Sequence, residues 1–88
     1  MHYVYMIKDS HENLYVGITE NLKNRLYYHN TNQGAQFTKL KAPFTLVFTE
    51  EYKTLIEARK REIQIKKWRR DKKELLIVRY AKGLSTKE

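Results

Sequence analysis

A helix that exists only to pack carries apolar residues along one stripe. The stretch ARKREIQIKK breaks that pattern. Leu55, Ala58 and Ile65 recur at helical spacing, and Glu62 falls inside their stripe, with Arg59 and Lys66 beside it on the helix surface. A carboxylate there must be paired, protonated or metal-bound, because a lone buried charge is costly. An ion pair with Arg59 or Lys66 is the plain alternative to a metal. The earlier stretch LKNRLYYHN shows a similar departure. Leu22 and Leu26 set its apolar stripe, and Arg25 and His29, four residues apart, lie beside it. An imidazole so placed is either a hydrogen-bonded core group or a working one. The guanidinium is either a solvated charge or an anion ligand.

Two phenols complete the set. Tyr5 stands in YVYMIK and Tyr15 in LYVGIT. They share one face of a hairpin only if the register sets them opposite or diagonal, which demands an odd-length loop or a bulge. Either tyrosine alone also reads as a core aromatic with a solvated tip. Gly17 follows two residues after Tyr15. Glycine weakens a strand and marks a bulge, a bend or a close approach. Here it would leave the sheet face clear for a phosphate.

The elements that must position these groups read as follows. YVYMIK (Tyr3 to Lys8) is apolar on both faces, as an interior strand is. DSHEN is rich in turn formers, and LYVGIT alternates, so the two runs form a hairpin. Thr19 is the expected N-cap, with Glu20 in the first turn, of a helix running to about Asn30. TNQGAQFTKLKAP is a basic loop, and FTLVFTEEY (Phe44 to Tyr52) is a third strand. Thr54 caps a second helix to about Arg70. Asp71 opens a third, Lys72 to Ala81, with Gly83 beyond it. The order β-β-α-β-α-α gives an α+β fold, an α/β sandwich with a three-stranded, mainly antiparallel sheet and helices packed on it. Residues 1–88 form one domain with its core in about 3–81, and the tail 82–88 is expected to fray.

Charge is the loudest bulk signal. The 88 residues hold 18 Lys and Arg against 10 Asp and Glu, a net charge of +8, together with seven Tyr, three Phe and one Trp. Such a surface attracts polyanions and offers rings for bases to stack on. There is no cysteine, which excludes disulfides and thiolate metal sites. With three scattered histidines, a zinc site does not fit. No apolar run nears the roughly 18 residues of a membrane span, and the N-terminus lacks a signal-peptide pattern. The chain reads as soluble and cytoplasmic, with no membrane partner.

YVYMI around Tyr5, LYVG around Tyr15, Arg25, His29 and EARKREIQIKKW around Glu62 resemble the GIY-YIG nuclease family, and the match runs from about residue 3 to residue 68. GAQFTKLKAPFTLVFTEEY is similar to its small stand-alone branch. Tyr3 replaces the first glycine of the name motif, and valines stand where the name has isoleucine. The resemblance implies a metal-dependent endonuclease acting on DNA, with RNA also open, directed by structure or damage rather than by sequence. It implies that Tyr5 deprotonates or positions the attacking water and that Tyr15 orients water or phosphate. Arg25 would stabilise transition-state charge, and His29 would hydrogen-bond a tyrosine or phosphate. Glu62 would hold one divalent cation, Mg²⁺ or Mn²⁺. All five side chains are expected on one concave surface, with Glu62 and Tyr15 on the same side of the sheet.

From Arg59 to Lys73 the chain holds nine basic residues. They are either a solvated helix face or a phosphate-tracking surface built from Arg59, Lys66, Arg69, Arg70, Lys72 and Lys73, which Lys39 and Lys41 of the loop would extend. Trp68 either joins the core or stacks a base. Two other functions stay open: a nucleic-acid-binding module with little turnover, and a structural domain whose charge is incidental.

Overall fold

A computed structural model of the chain describes residues 1–31 and 43–87. Its strands are β1 (His2–Lys8), β2 (Leu14–Thr19) and β3 (Thr45–Tyr52); its helices are α1 (Leu22–Asn30), α2 (Leu55–Lys66) and α3 (Arg70–Ala81). The sheet order is β2-β1-β3 and both pairings are antiparallel. The α+β fold and its β-β-α-β-α-α order are those read from the sequence.

β1 is central and apolar on both sides, so it builds two cores. Val4 and Met6 pack with Phe48, Ala58, Ile65 and Leu76 beneath α2 and α3. Tyr5 and Ile7 pack with Phe44, Leu22 and Leu26 on the α1 side. A bulge in β3 divides that strand between the cores. Met6 pairs with Phe48 but Ile7 pairs with Leu46, leaving Val47 as the extra residue. Without it Leu46 and Phe48 would share a face; with it, Leu46 joins the α1 side and Phe48 the other.

The β1–β2 connection is five residues long, and Asp9 organises it. Its carboxylate accepts from the backbone N–H of His11 (2.8 Å) and Asn13 (2.9 Å), from Asn13 Nδ2 (3.0 Å) and from the Tyr15 hydroxyl (2.9 Å). Burial works to raise the Asp9 carboxyl pKa. These bonds, with Asn13 foremost, outweigh it and hold the carboxyl at about 2.

Helix limits differ from the sequence reading in two places. α1 is capped by Asn21, whose side chain accepts from Asn24 N–H (3.0 Å), not by Thr19. Thr19 is still strand, and its hydroxyl accepts from Asn21 N–H instead (3.1 Å). α2 ends at Lys66 rather than near Arg70, and α3 starts at Arg70. Thr54 caps α2 as expected, accepting from Glu57 N–H (3.2 Å).

A buried ion pair ties β3 to α2. Arg61 donates through Nε to Glu50 Oε1 (2.9 Å) and through Nη2 to Oε2 (3.1 Å), with the two side chains only 10% and 2% exposed. Tyr52 donates to the same carboxylate (2.8 Å). Burial, then Glu50, pushes that phenol up to about 12. Trp68 packs against the core with Arg61 over its ring at 5.2 Å and Lys72 at 4.3 Å. Three hydrogen bonds involve the tail: Arg61 donates to Thr86 O (2.8 Å), Arg79 to Ser85 O (2.8 Å) and Lys87 to Glu51 O.

Candidate active site

Tyr5 and Gly17 face each other across the β1–β2 ladder, and Ile7 faces Tyr15. The odd-length turn therefore sets Tyr5 and Tyr15 diagonal on one face. A Cβ at Gly17 would lie 2.5 Å from the Tyr5 hydroxyl oxygen and 2.6 Å from Cζ. The space over Gly17 is thus filled by the Tyr5 phenol, not left open for a phosphate. Because β2 is an edge strand, the phenol crossing it carries its hydroxyl toward the rim of the sheet.

Gly17→Ala is expected to displace Tyr5 and to cost about 1–3 kcal/mol of stability. Tyr5→Phe should not relieve that cost, since Cζ clashes as well as the oxygen. Tyr5→Ala should. Denaturant midpoints of the single and double variants check this. Additive losses for Gly17→Ala and Tyr5→Ala would refute the close approach.

At that rim two charges act on Tyr5. Burial raises the pKa of the phenol above its usual 10, Arg25 lowers it and Glu62 raises it, for a net rise. Arg25 is the cationic neighbour that activation of the phenol requires, yet burial outweighs it. With its pKa raised, the Tyr5 phenol keeps its proton at neutral pH and can donate a hydrogen bond.

Glu62 is 7% exposed on the inner stripe of α2, with Ala58 and Ile65. Lys66 Nζ lies 3.1 Å from Oε2 and Arg59 Nη1 lies 3.9 Å from Oε1. Both partners are more than half exposed, so they reach the carboxylate from solvent.

The elements that carry the five residues pack on different sides of the sheet. α2 packs on the Val4 and Met6 side, whereas Tyr5 and Tyr15 belong to the α1 side. The helix that carries Glu62 and the sheet face that carries Tyr15 thus lie on different sides of the sheet. The Tyr5 phenol lies over Gly17, and both Arg25 and Glu62 act on it electrostatically. Tyr15 turns toward the hairpin loop, with its hydroxyl on Asp9 and its ring edge-on to Phe44 at 5.7 Å.

His29 follows Arg25 by one helical turn. Its ring lies 5.3 Å from that of Phe44, and its Nε2 is buried without a hydrogen-bond partner among the described residues. Burial, then Arg25, lowers its pKa below 6.5, so the imidazole is neutral at pH 7. The unfolded chain protonates near 6.5 and the folded chain only lower. The stability this group contributes is thus complete above about 6.5 and is lost as pH falls from there through the folded value. Wild type should therefore lose more stability than His29→Leu between pH 7.5 and 5.5, measured by urea midpoints. Equal losses would mean that the imidazole is not held neutral.

Residues 1–75 match the GIY-YIG catalytic domain. The chain belongs to the GIY-YIG family. UPF0213 proteins of Staphylococcus saprophyticus and Staphylococcus aureus are 42% and 45% identical to it over 76 residues, which is 86% of this chain and 93% of each relative. The solution NMR structure of the UPF0213 protein BH0048 from Bacillus halodurans is 34% identical and has a TM-score of 0.58, covering 88% of this chain and 82% of that one.

A GIY-YIG domain is a nuclease fold. Among the described residues no group of three or more His, Cys, Asp or Glu could hold a metal. Glu62 is a carboxylate that could help to hold a divalent cation in place of the solvent-borne Lys66 and Arg59.

The basic stretch divides in the structure. Arg59 and Lys66 serve Glu62, Arg69 pairs with Asp71 (3.6 Å) and Arg70 with Glu74 (2.8 Å), and Lys72 covers Trp68. Lys73 takes part in no ion pair among the described residues. Lys39 and Lys41 lie outside the described residues. No helix among the described residues is long and apolar enough to cross a membrane.

Sequence reasoning missed Asp9, Glu50 with Arg61, and Asn30, whose amide donates to Phe44 O (3.1 Å) and accepts from Phe44 N–H, pinning the end of α1. Asp9 heads a turn, which was a usable signal. Glu50 sits in an alternating strand, which was another. Asn30 gave none, since its partner is distant in sequence.

Proposed function

We propose that this GIY-YIG domain hydrolyses phosphodiester bonds of nucleic acid, DNA foremost, with one Mg²⁺ or Mn²⁺ ion on Glu62. Selection by structure or damage, as in DNA repair, is part of this reading. The observation that carries this reading is the Tyr5 phenol lying over Gly17, with both Arg25 and Glu62 acting on it electrostatically. The cation, when bound, would polarise the phosphate and promote attack by water. Arg25 presents a planar fork to two phosphate oxygens and offsets the charge that grows in the transition state. Tyr5, still protonated, donates to a phosphate oxygen or fixes the water. Tyr15 has committed its proton to Asp9, so toward water or phosphate-bound groups it acts only as an acceptor. His29 offers a neutral imidazole beside Arg25.

The second reading is a binding module, and one observation favours it: Lys66 and Arg59 account for the buried Glu62 without a metal. Single-stranded, duplex, flap and junction substrates incubated with Mg²⁺ and with Mn²⁺ decide between the two. Metal-dependent nicking supports hydrolysis; salt-dependent binding with no nicking supports the module.

Phosphate binding along Arg59, Lys66, Arg69, Arg70, Lys72, Lys73, Lys39 and Lys41 completes the proposal. Because Arg69 and Arg70 have carboxylate partners, neutralising Lys72 and Lys73 should flatten the plot of log affinity against log salt more than neutralising the two arginines. Every duplex phosphate that a variant no longer neutralises flattens it by about 0.9 unit. Equal slopes for the two double variants would refute the ranking.

A further inference from the structure

Arg25 forms a ridge between two open depressions. One, about 370 Å³, runs past His2, Glu20 and Leu55. The other, about 400 Å³, is lined by Asn24 and Tyr28 together with Thr19 and Asn21. Their charges differ. Glu20 places an exposed carboxylate in the first, which repels a polyanion, whereas no acidic residue among those described lines the second. A nucleic-acid strand whose phosphate rests on Arg25 is therefore steered toward the Tyr28 side.

Tyr28 is 40% exposed on a helix with no buried residue, so core packing does not explain its ring. The ring is held in place nonetheless. Arg25 lies 5.9 Å from its centroid, and the His29 ring stands edge-on at 6.1 Å. An exposed, oriented ring one residue from His29 and three from Arg25 is a platform for a π-face. Asn24 adds an amide with both a donor and an acceptor to the same depression.

We propose that Tyr28 and Asn24 form a nucleobase subsite beside the scissile phosphate, Tyr28 stacking the base and Asn24 reading its edge. This rests on the hydrolytic reading of the Arg25 site. The occupant is an unpaired or everted base, because a base inside a duplex has its faces covered by neighbours and cannot present one to a side chain. The subsite would make cleavage depend on the identity of one nucleotide although the rest of the strand is held by its phosphates.

The test uses the full chain and oligonucleotides in which one abasic site is moved stepwise past the cleavage point. An abasic residue at one position should lower kcat/KM by roughly tenfold or more, the scale of one base–aromatic stack. Tyr28→Leu should lower it by a similar factor on intact substrate and leave cleavage of that abasic substrate unchanged. Tyr28→Phe should behave as wild type, and Asn24→Ala should level the rates among the four bases. If no abasic position matters beyond twofold, or if Tyr28→Leu penalises intact and abasic substrates alike, the subsite does not exist. A second readout needs no turnover. Glu62→Gln protein should quench 2-aminopurine placed at that position, and Tyr28→Leu added to it should abolish the quenching. Quenching of this kind in a chain that cuts nothing would support the subsite and overturn the hydrolytic reading. Cleavage without quenching at any position would do the reverse.

Discussion

Glu62→Gln is expected to lower metal-dependent cleavage by on the order of a thousandfold while nucleic-acid binding stays level or tightens slightly. The amide keeps the shape of the side chain on the α2 stripe but cannot balance a divalent cation. It also releases Lys66 and Arg59 from the carboxylate they now approach at 3.1 and 3.9 Å, leaving two cations for phosphate. If the carboxylate is only their ion-pair partner, the result inverts. The variant would then melt earlier, and the folded fraction would cut at the wild-type rate. Thermal midpoint and cleavage measured on one preparation distinguish the outcomes.

The largest loss of stability is expected from Arg61→Ala, about 3–5 kcal/mol. Glu50 is 2% exposed and would be left buried without its charged partner. The same truncation removes the donor to Thr86 O and the cation over Trp68. Replacing both members by apolar residues, Glu50→Leu with Arg61→Met, should recover most of the loss, because no charge then stays buried. A denaturant series gives both numbers. A loss below about 1 kcal/mol for Arg61→Ala would mean that water reaches Glu50, as it does a surface pair. Cleavage per folded molecule should be unchanged in either variant.

Much of the fold was legible because its signals are local. β1 reads as central since both its faces are apolar, and the five-residue turn gives the odd spacing that sets Tyr5 diagonal to Tyr15. Thr54 announces α2 by its cap. The failures have physical reasons as well. Thr19 and Asn21 are both good caps, and which one serves depends on where β2 stops pairing. The basic run KKWRR hides the break between α2 and α3, because nothing in it forbids a helix. The site residues could be chosen from their type and stripe, but strand parity decides their faces. Parity places Tyr5 and Tyr15 on one face, and only the structure shows that the Tyr5 phenol fills the space over Gly17.

The slender anchoring of α1 sets that helix apart from the rest of the molecule. None of its residues is buried, whereas α2 buries three and α3 one. Its far end is held to the body by the Asn30 amide. The sheet with α2 and α3 therefore weighs more in a melting curve of this domain than the helix that carries Arg25. Melting temperatures alone would rank variants mainly on that larger part, and the helix proposed to handle phosphate would count for less.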